Sequence, residues 1–159
     1  MAKAREIPGI GPDLPFRESA ARAVEVRTEE LFSYSEGVLD TEDIERVHDM
    51  RVASRRLRAV LEIFAPCFPK KPHRSVLREV KQLADVLGER RDPDVQIAAL
   101  RKAEAALTRE DTAGIESLVE ELRGGQGRGN ELLADELERI ESDQLKLRLM
   151  SLAAEARTA

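Results

Sequence analysis

Aromatic residues are scarce: the chain has no tryptophan, one tyrosine (Tyr34) and four phenylalanines, 3% of 159 residues. Strands of β-sandwiches and barrels draw on aromatic and β-branched residues. The shortage therefore argues against an all-β fold and for helices built on Leu, Ala, Glu and Arg. The single cysteine, Cys67, leaves no disulfide framework and fits a reducing, cytoplasmic setting. No apolar run approaches the ~18 residues of a membrane span, so no membrane partner is expected. The basic start Met1-Ala2-Lys3-Ala4-Arg5 is followed by no apolar stretch and is not read as a signal peptide. Two histidines and one cysteine are too few for a His/Cys metal cluster. Neither a GxxxxGK[ST] nor a GxGxxG phosphate loop is present. No catalytic constellation and no cofactor are read.

What is abundant is charge, at 36% of residues, with a formal total of −5. An acidic balance ordinarily disfavours anion binding, but the average hides an asymmetry. Residues 46–91 hold twelve cations against five acids, a net of +7, so the rest of the chain carries −12. Most of these cations are arginines, whose forked guanidinium suits bidentate phosphate or carboxylate contacts.

The length fits one domain. Residues 1–15, with Pro8, Gly9, Gly11, Pro12 and Pro15, read as an irregular lead-in to a single helical domain over 16–159. Apolar spacing predicts a helix over about 15–38, its seam interrupted by Arg27, which is read as snorkelling. Thr41 with Glu42 and Asp43 reads as a cap and acidic first turn for a second helix over about 42–64. Pro66, Pro69 and Pro72 break the chain. A third helix is predicted over 73–87, ending at Gly88. Asp92-Pro93-Asp94 reads as the start of a fourth, reaching about Leu107. A short helical segment over 111–122 and a flexible glycine-rich break at 124–129 precede a last helix over about 130–156. The expectation is an all-α antiparallel bundle of four main helices and a short one, with a motif core at 42–107.

The second helix carries the functional signal. Met50, Ala53, Leu57, Val60, Leu61 and Phe64 share one apolar sector, and Val52, Ala59 and Ile63 form a smaller patch on another side. Between them His48, Arg51, Arg55 and Arg58 stack along one face at spacings of three and four, with Glu62 continuing the row. Aligned cations repel each other unless an anion lies beside them. The flanking apolar patches suggest a row pointing into a cleft. The third helix repeats the pattern with Arg74, Arg78 and Lys81, followed by Asp85. Two antiparallel helices of this kind make a two-walled positive groove for a ligand with closely spaced negative charges. His73, in the proline-rich turn, is read as a surface residue.

The segment Val47-His48-Asp49-Met50-Arg51-Val52-Ala53-Ser54-Arg55-Arg56-Leu57-Arg58 resembles the signature of the CHAD family, the conserved histidine α-helical domains. Leu87-Gly88-Glu89-Arg90-Arg91-Asp92-Pro93-Asp94-Val95 resembles that family's second landmark, with Lys81 upstream. The resemblance implies an all-helical fold that binds inorganic polyphosphate through a basic surface, often with polyphosphate granules. Carried over by position, it implies His48, Arg51, Arg55, Arg56, Arg58, Lys81 and Arg91 as phosphate ligands. Arg74 and Arg78 rest on the groove alone. Asp92 is read as capping the next helix or orienting Arg91.

Family members of ordinary length resemble two similar helical bundles, and this chain shows one basic helix. Leu133, Leu137, Ile140 and Leu147 form one seam of the last helix, and Leu145, Leu149 and Leu152 another. A helix apolar on two sides points to a homodimer through the C-terminal helix. The expected function is therefore non-catalytic polyphosphate binding. Its rivals are a nucleic-acid or nucleotide-binding module, a phosphoryl-accepting protein using His48, and an adaptor for an acidic protein. Base stacking wants exposed aromatics, and Tyr34 lies on a core seam, which disfavours nucleic acid.

Overall fold

The computed structural model describes residues 3–104 and 109–158. After an irregular lead-in come α1 (Phe16–Phe32), α2 (Ile44–Ile63), a 3-10 turn (Ala65–Cys67), α3 (Lys70–Glu104), α4 (Arg109–Ser142) and α5 (Leu145–Thr158). No strand occurs among the described residues, and none of these helices is long and apolar enough to cross a membrane. The all-α bundle is as expected, while several helix boundaries are not. Leu107, the expected end of the fourth helix, lies outside the described residues.

The core forms where the apolar stripes of all five helices meet. Ala20, Val24 and Leu31 of α1 join Met50, Leu57 and Leu61 of α2 and Val76, Val80, Leu83 and Leu87 of α3. Leu133 and Ile140 of α4 and Leu145, Leu149 and Leu152 of α5 close it. The short connection through Ala65–Cys67 turns α3 back along α2, as short helix–helix links do.

The first helix stops at Phe32 rather than near Val38. Its last carbonyls are taken by serine hydroxyls: Ser33 Oγ donates to Glu30 O and Ser35 Oγ to Phe32 O, both at 2.8 Å. Gly37 then takes a φ of 72°, a left-handed conformation glycine adopts without penalty. Val38 still packs into the core from this turn, which explains why the apolar spacing runs past the helix end. Thr41 is not the cap of α2. Asp43 occupies that position without a side-chain capping bond, and Asp40 Oδ1 accepts from Glu42 N at 2.9 Å.

The third helix does not end at Gly88, and Asp92-Pro93-Asp94 starts nothing: α3 runs through both to Glu104. Asp94 turns inward instead, its Oδ1 accepting from Arg90 Nη1 at 2.8 Å and Gln126 Nε2 at 2.6 Å. The glycine-rich segment is likewise no break but the middle of α4. Gly125 and Gly129, four residues apart, face α3: a Cβ on Gly125 would meet Pro93 Cγ at 3.7 Å, and one on Gly129 the Arg90 Cα at 3.0 Å. The first is an ordinary contact distance; it is Gly129 that lets two long helices cross closely.

The expected last helix is two helices. A turn at Asp143 and Gln144, the latter with a φ of 53°, separates α4 from α5. Leu133, Leu137 and Ile140 of the first seam lie on α4, while its Leu147 falls on α5 with the whole second seam, and Leu133, Ile140, Leu145, Leu149 and Leu152 are all buried in one core. The two-sided helix that pointed to a homodimer does not exist, although Leu147 remains 60% exposed.

Candidate anion-binding groove

Three cross-helix contacts set α2 and α3 antiparallel. Glu62 meets Lys81, Arg51 Nε lies near Gly88, and Glu45 approaches Arg91. As residue numbers fall along α2 they rise along α3. The two basic rows therefore follow one another along a single seam, the α2 row beside residues 81–91 of α3 and the α3 row meeting α2 at its C-terminal end, where Lys81 reaches Glu62.

On α2, His48 and Arg51 are half-buried beside the seam, and Arg55 and Arg58 are exposed. Met50, Ala53, Leu57 and Leu61 are buried on the core side, as read from the sequence. The other flank differs: Ala59 is exposed and Ile63 is 65% exposed. The row thus lies along an open shoulder, walled on one side by α3, rather than deep in a cleft.

On α3, Arg74, Lys81 and Gly88 recur every seven residues and so line one strip, with Arg78 to its side. Arg51 Nε lies 3.8 Å from where a Cβ on Gly88 would stand, an ordinary contact distance that sets its side chain against this strip. The helix begins with Lys70 and Lys71 and has no acid in its first turn. A helix N-terminus is already positive through its aligned peptide dipoles, so this end of the groove concentrates positive potential.

Ion pairing separates the candidate ligands. Glu62 Oε1 lies 3.1 Å from Arg58 Nε and 3.0 Å from Lys81 Nζ. The hydrogen bonds from Lys81 and then Arg58 hold its carboxyl below the usual carboxylate range. Arg91 is largely buried, with Nη1 at 3.5 Å from Asp94 Oδ2 and Nη2 at 3.9 Å from Glu45 Oε1. Its orienting carboxylate is Asp94, not Asp92, which is exposed on a continuing helix. Arg55, Arg74 and Arg78 form no ion pair among the described residues.

Arg56 stands apart from the row. Its Nη1 donates to Glu30 Oε1 at 2.8 Å, so it faces α1 across the core boundary. Glu30 is fully buried and also receives Arg27. Arg27 is thus not a snorkelling residue but half of a buried pair, its Nη2 donating to Arg5 O at 2.8 Å. His73 is buried as well. It stacks on Phe68, and its Nε2 donates to Leu61 O at 2.8 Å, a carbonyl in the last turn of α2.

The sequence reading missed the network behind Arg91. Arg90 is fully buried and donates from Nε to Asn130 Oδ1 at 2.8 Å as well as to Asp94. Asn130 Nδ2 in turn donates to Leu39 O at 2.7 Å. The available signal was Gln126 and Asn130, polar residues four apart beside the facing glycines.

The molecule is thus an all-helical bundle that presents a basic groove along one helical hairpin. The family model for the CHAD domain matches residues 22–159, which include the whole groove, and the chain belongs to that family. It is 36% identical over 90 residues to uncharacterized protein Rv2226 of Mycobacterium tuberculosis (strain ATCC 25618 / H37Rv). It is 34% identical over 90 residues to uncharacterized protein MT2285 of Mycobacterium tuberculosis (strain CDC 1551 / Oshkosh). Each match covers 57% of this chain and 17% of the relative.

Proposed function

We propose that this chain binds inorganic polyphosphate, or a linear polyanion of the same kind, without turning it over. The observation that carries the reading is the convergence of Arg58 and Lys81, from two helices, on the single carboxylate Glu62. The two rows come close enough there to share one anion. Around it Arg55, Arg74 and Arg78 offer guanidiniums without an ion pair among the described residues. Charge-assisted bonds from such forks to successive phosphates, together with release of condensed counterions, would supply the binding energy. Family membership supports the same reading.

The decisive experiment is a polyphosphate titration at two salt concentrations on the wild type and the Arg55→Glu/Arg58→Glu double variant. Wild-type affinity is expected to fall steeply with salt, and the double variant to bind at least tenfold more weakly. Equal affinities would remove the groove from the reading. In the same samples, released phosphate should stay at background. Turnover would favour His48 as a phosphoryl acceptor. RNA should be displaced by polyphosphate far better than the reverse.

In the cell the reading places the chain in the cytoplasm, with polyphosphate granules. Association with a second copy stays part of the proposal. Its surface is the corner between α4 and α5, where an open groove of about 710 Å³ is lined by Phe32, Leu137, Ile140, Leu147 and Met150. Light scattering tests it, and a monomer at high concentration would sink it.

A further inference from the structure

Glu62 stands in the last turn of α2, where the basic row of α2 ends and that of α3 begins. One of its oxygens meets both Arg58 Nε and Lys81 Nζ, at 3.1 and 3.0 Å. Cations from both walls thus converge on one anionic oxygen, as they would on an oxygen of a bound phosphate. Because the carboxyl is held below its usual range by these same partners, the centre stays occupied by a negative charge at neutral pH.

The cations without an ion pair among the described residues lie on opposite sides of that point. Arg55 is seven residues from Glu62 along α2, and Arg74 is seven residues from Lys81 along α3. At a rise of 1.5 Å per residue each is displaced by about 10 Å. Since the helices are antiparallel, the displacements run in opposite directions. These two charges are therefore about 20 Å apart along the seam, with the carboxylate between them.

We propose that Glu62 is a built-in competitor for the central part of the groove, so that the site favours polyanions long enough to engage the cations on both sides of it over short ones. A short anion seated at the centre must displace the carboxylate or lie against it. At either end it reaches few cations. A long chain meets the same central repulsion but gains contacts at both ends. Discrimination by a repulsive element is a general route to specificity. The inference rests on the polyanion reading above and deepens it to a preference for length.

The test is calorimetric titration of the wild type and Glu62→Gln with inorganic tripolyphosphate and with long-chain polyphosphate, at one salt concentration. Glu62 is exposed, so the isosteric change leaves the fold intact. The variant is expected to bind tripolyphosphate at least tenfold more tightly than the wild type. Its gain for the long chain should be smaller, so that the preference for length narrows. Unchanged or weaker tripolyphosphate binding by the variant, while the wild type binds the long chain, would overturn the competitor role alone. Weaker binding of both ligands would mark Glu62 as a residue that merely positions Arg58 and Lys81. A wild type that binds neither ligand would remove the polyanion reading, and this inference with it.

Discussion

Gly129 of α4 meets Arg90 of α3 backbone to backbone: a Cβ on the glycine would stand 3.0 Å from the Arg90 Cα. Glycine inside a helix is ordinarily destabilising by about 0.5–1 kcal/mol relative to alanine, so its place here depends on the crossing. At Gly127, two residues away, a Cβ would meet nothing within 4 Å. Opposite signs follow for the same substitution. Gly127→Ala is expected to stabilise the protein by about 0.5–1 kcal/mol. Gly129→Ala is expected to destabilise it by about 1–3 kcal/mol through overpacking. Thermal unfolding of the two variants checks the pair, and a gain at both positions would refute the close crossing.

That crossing also explains where sequence reasoning stopped. The periodic apolar stripes of α2 and the first half of α3 identified their buried faces, because helical spacing alone gathers those positions on one side. Gly88, Pro93 and Gly124–Gly129 carry strong local signals for helix ends, yet the helices run through them. Local propensity amounts to about 1 kcal/mol per glycine and about 3 for a proline, and packing of α3 on α4 outweighs it. At Gln144 the reverse happened: no glycine or proline marks the turn that splits the last helix. The basic rows were legible since four-residue spacing alone sets a helix face. Seeing that Arg56, a candidate through the family resemblance alone, reaches Glu30 required knowing which side α1 occupies, which no spacing in α2 encodes.

The Arg90 network makes a second prediction. Arg90 and Asp94 have fully buried side chains in direct contact, with Nη1 2.8 Å from Oδ1. Removing one partner of a buried pair leaves an uncompensated charge and is destabilising by about 3–5 kcal/mol. Asp94→Ala is expected to lower stability by that order in urea unfolding. It also frees Arg91, so polyphosphate binding at a temperature where the variant is folded should weaken. A loss under about 1 kcal/mol would contradict the burial of the pair.

Acid sensitivity follows from the tether between α1 and α5. Glu18 accepts from Arg157 Nε at 2.7 Å and from Arg22 Nε at 2.7 Å. These bonds, Arg157 first, lower its carboxyl from 4.5 to about 2. A carboxylate with a depressed folded pKa contributes stability that is present in full above its unfolded pKa. That contribution is lost as pH falls through the folded value. The window is therefore between about pH 4.5 and 2. Melting followed by circular dichroism across this range should show a steeper decline for the wild type than for Glu18→Gln, which has no such proton to take up. Parallel declines would mean that the tether contributes nothing to acid unfolding.

Arg55 and Arg56 are neighbours in sequence with opposite assignments, which makes them the sharpest pair to separate binding from folding. Arg55 is exposed in the groove without an ion pair among the described residues. Arg56 reaches the other way, to the fully buried Glu30 at 2.8 Å. Arg55→Ala should therefore leave the unfolding midpoint nearly unchanged, as surface substitutions do. It should weaken polyphosphate binding several-fold and lessen its dependence on salt, since one phosphate contact is gone. Arg56→Ala leaves Glu30 with one hydrogen bond fewer inside the protein and is expected to be destabilising by about 1–3 kcal/mol. Its polyphosphate affinity should stay near that of the wild type. Urea unfolding and calorimetric titration of both variants give four numbers with one expected pattern. If Arg56→Ala lost affinity as Arg55→Ala does, while keeping full stability, Arg56 would belong to the groove after all. The resemblance in its motif would then outweigh the geometry that turns it toward α1.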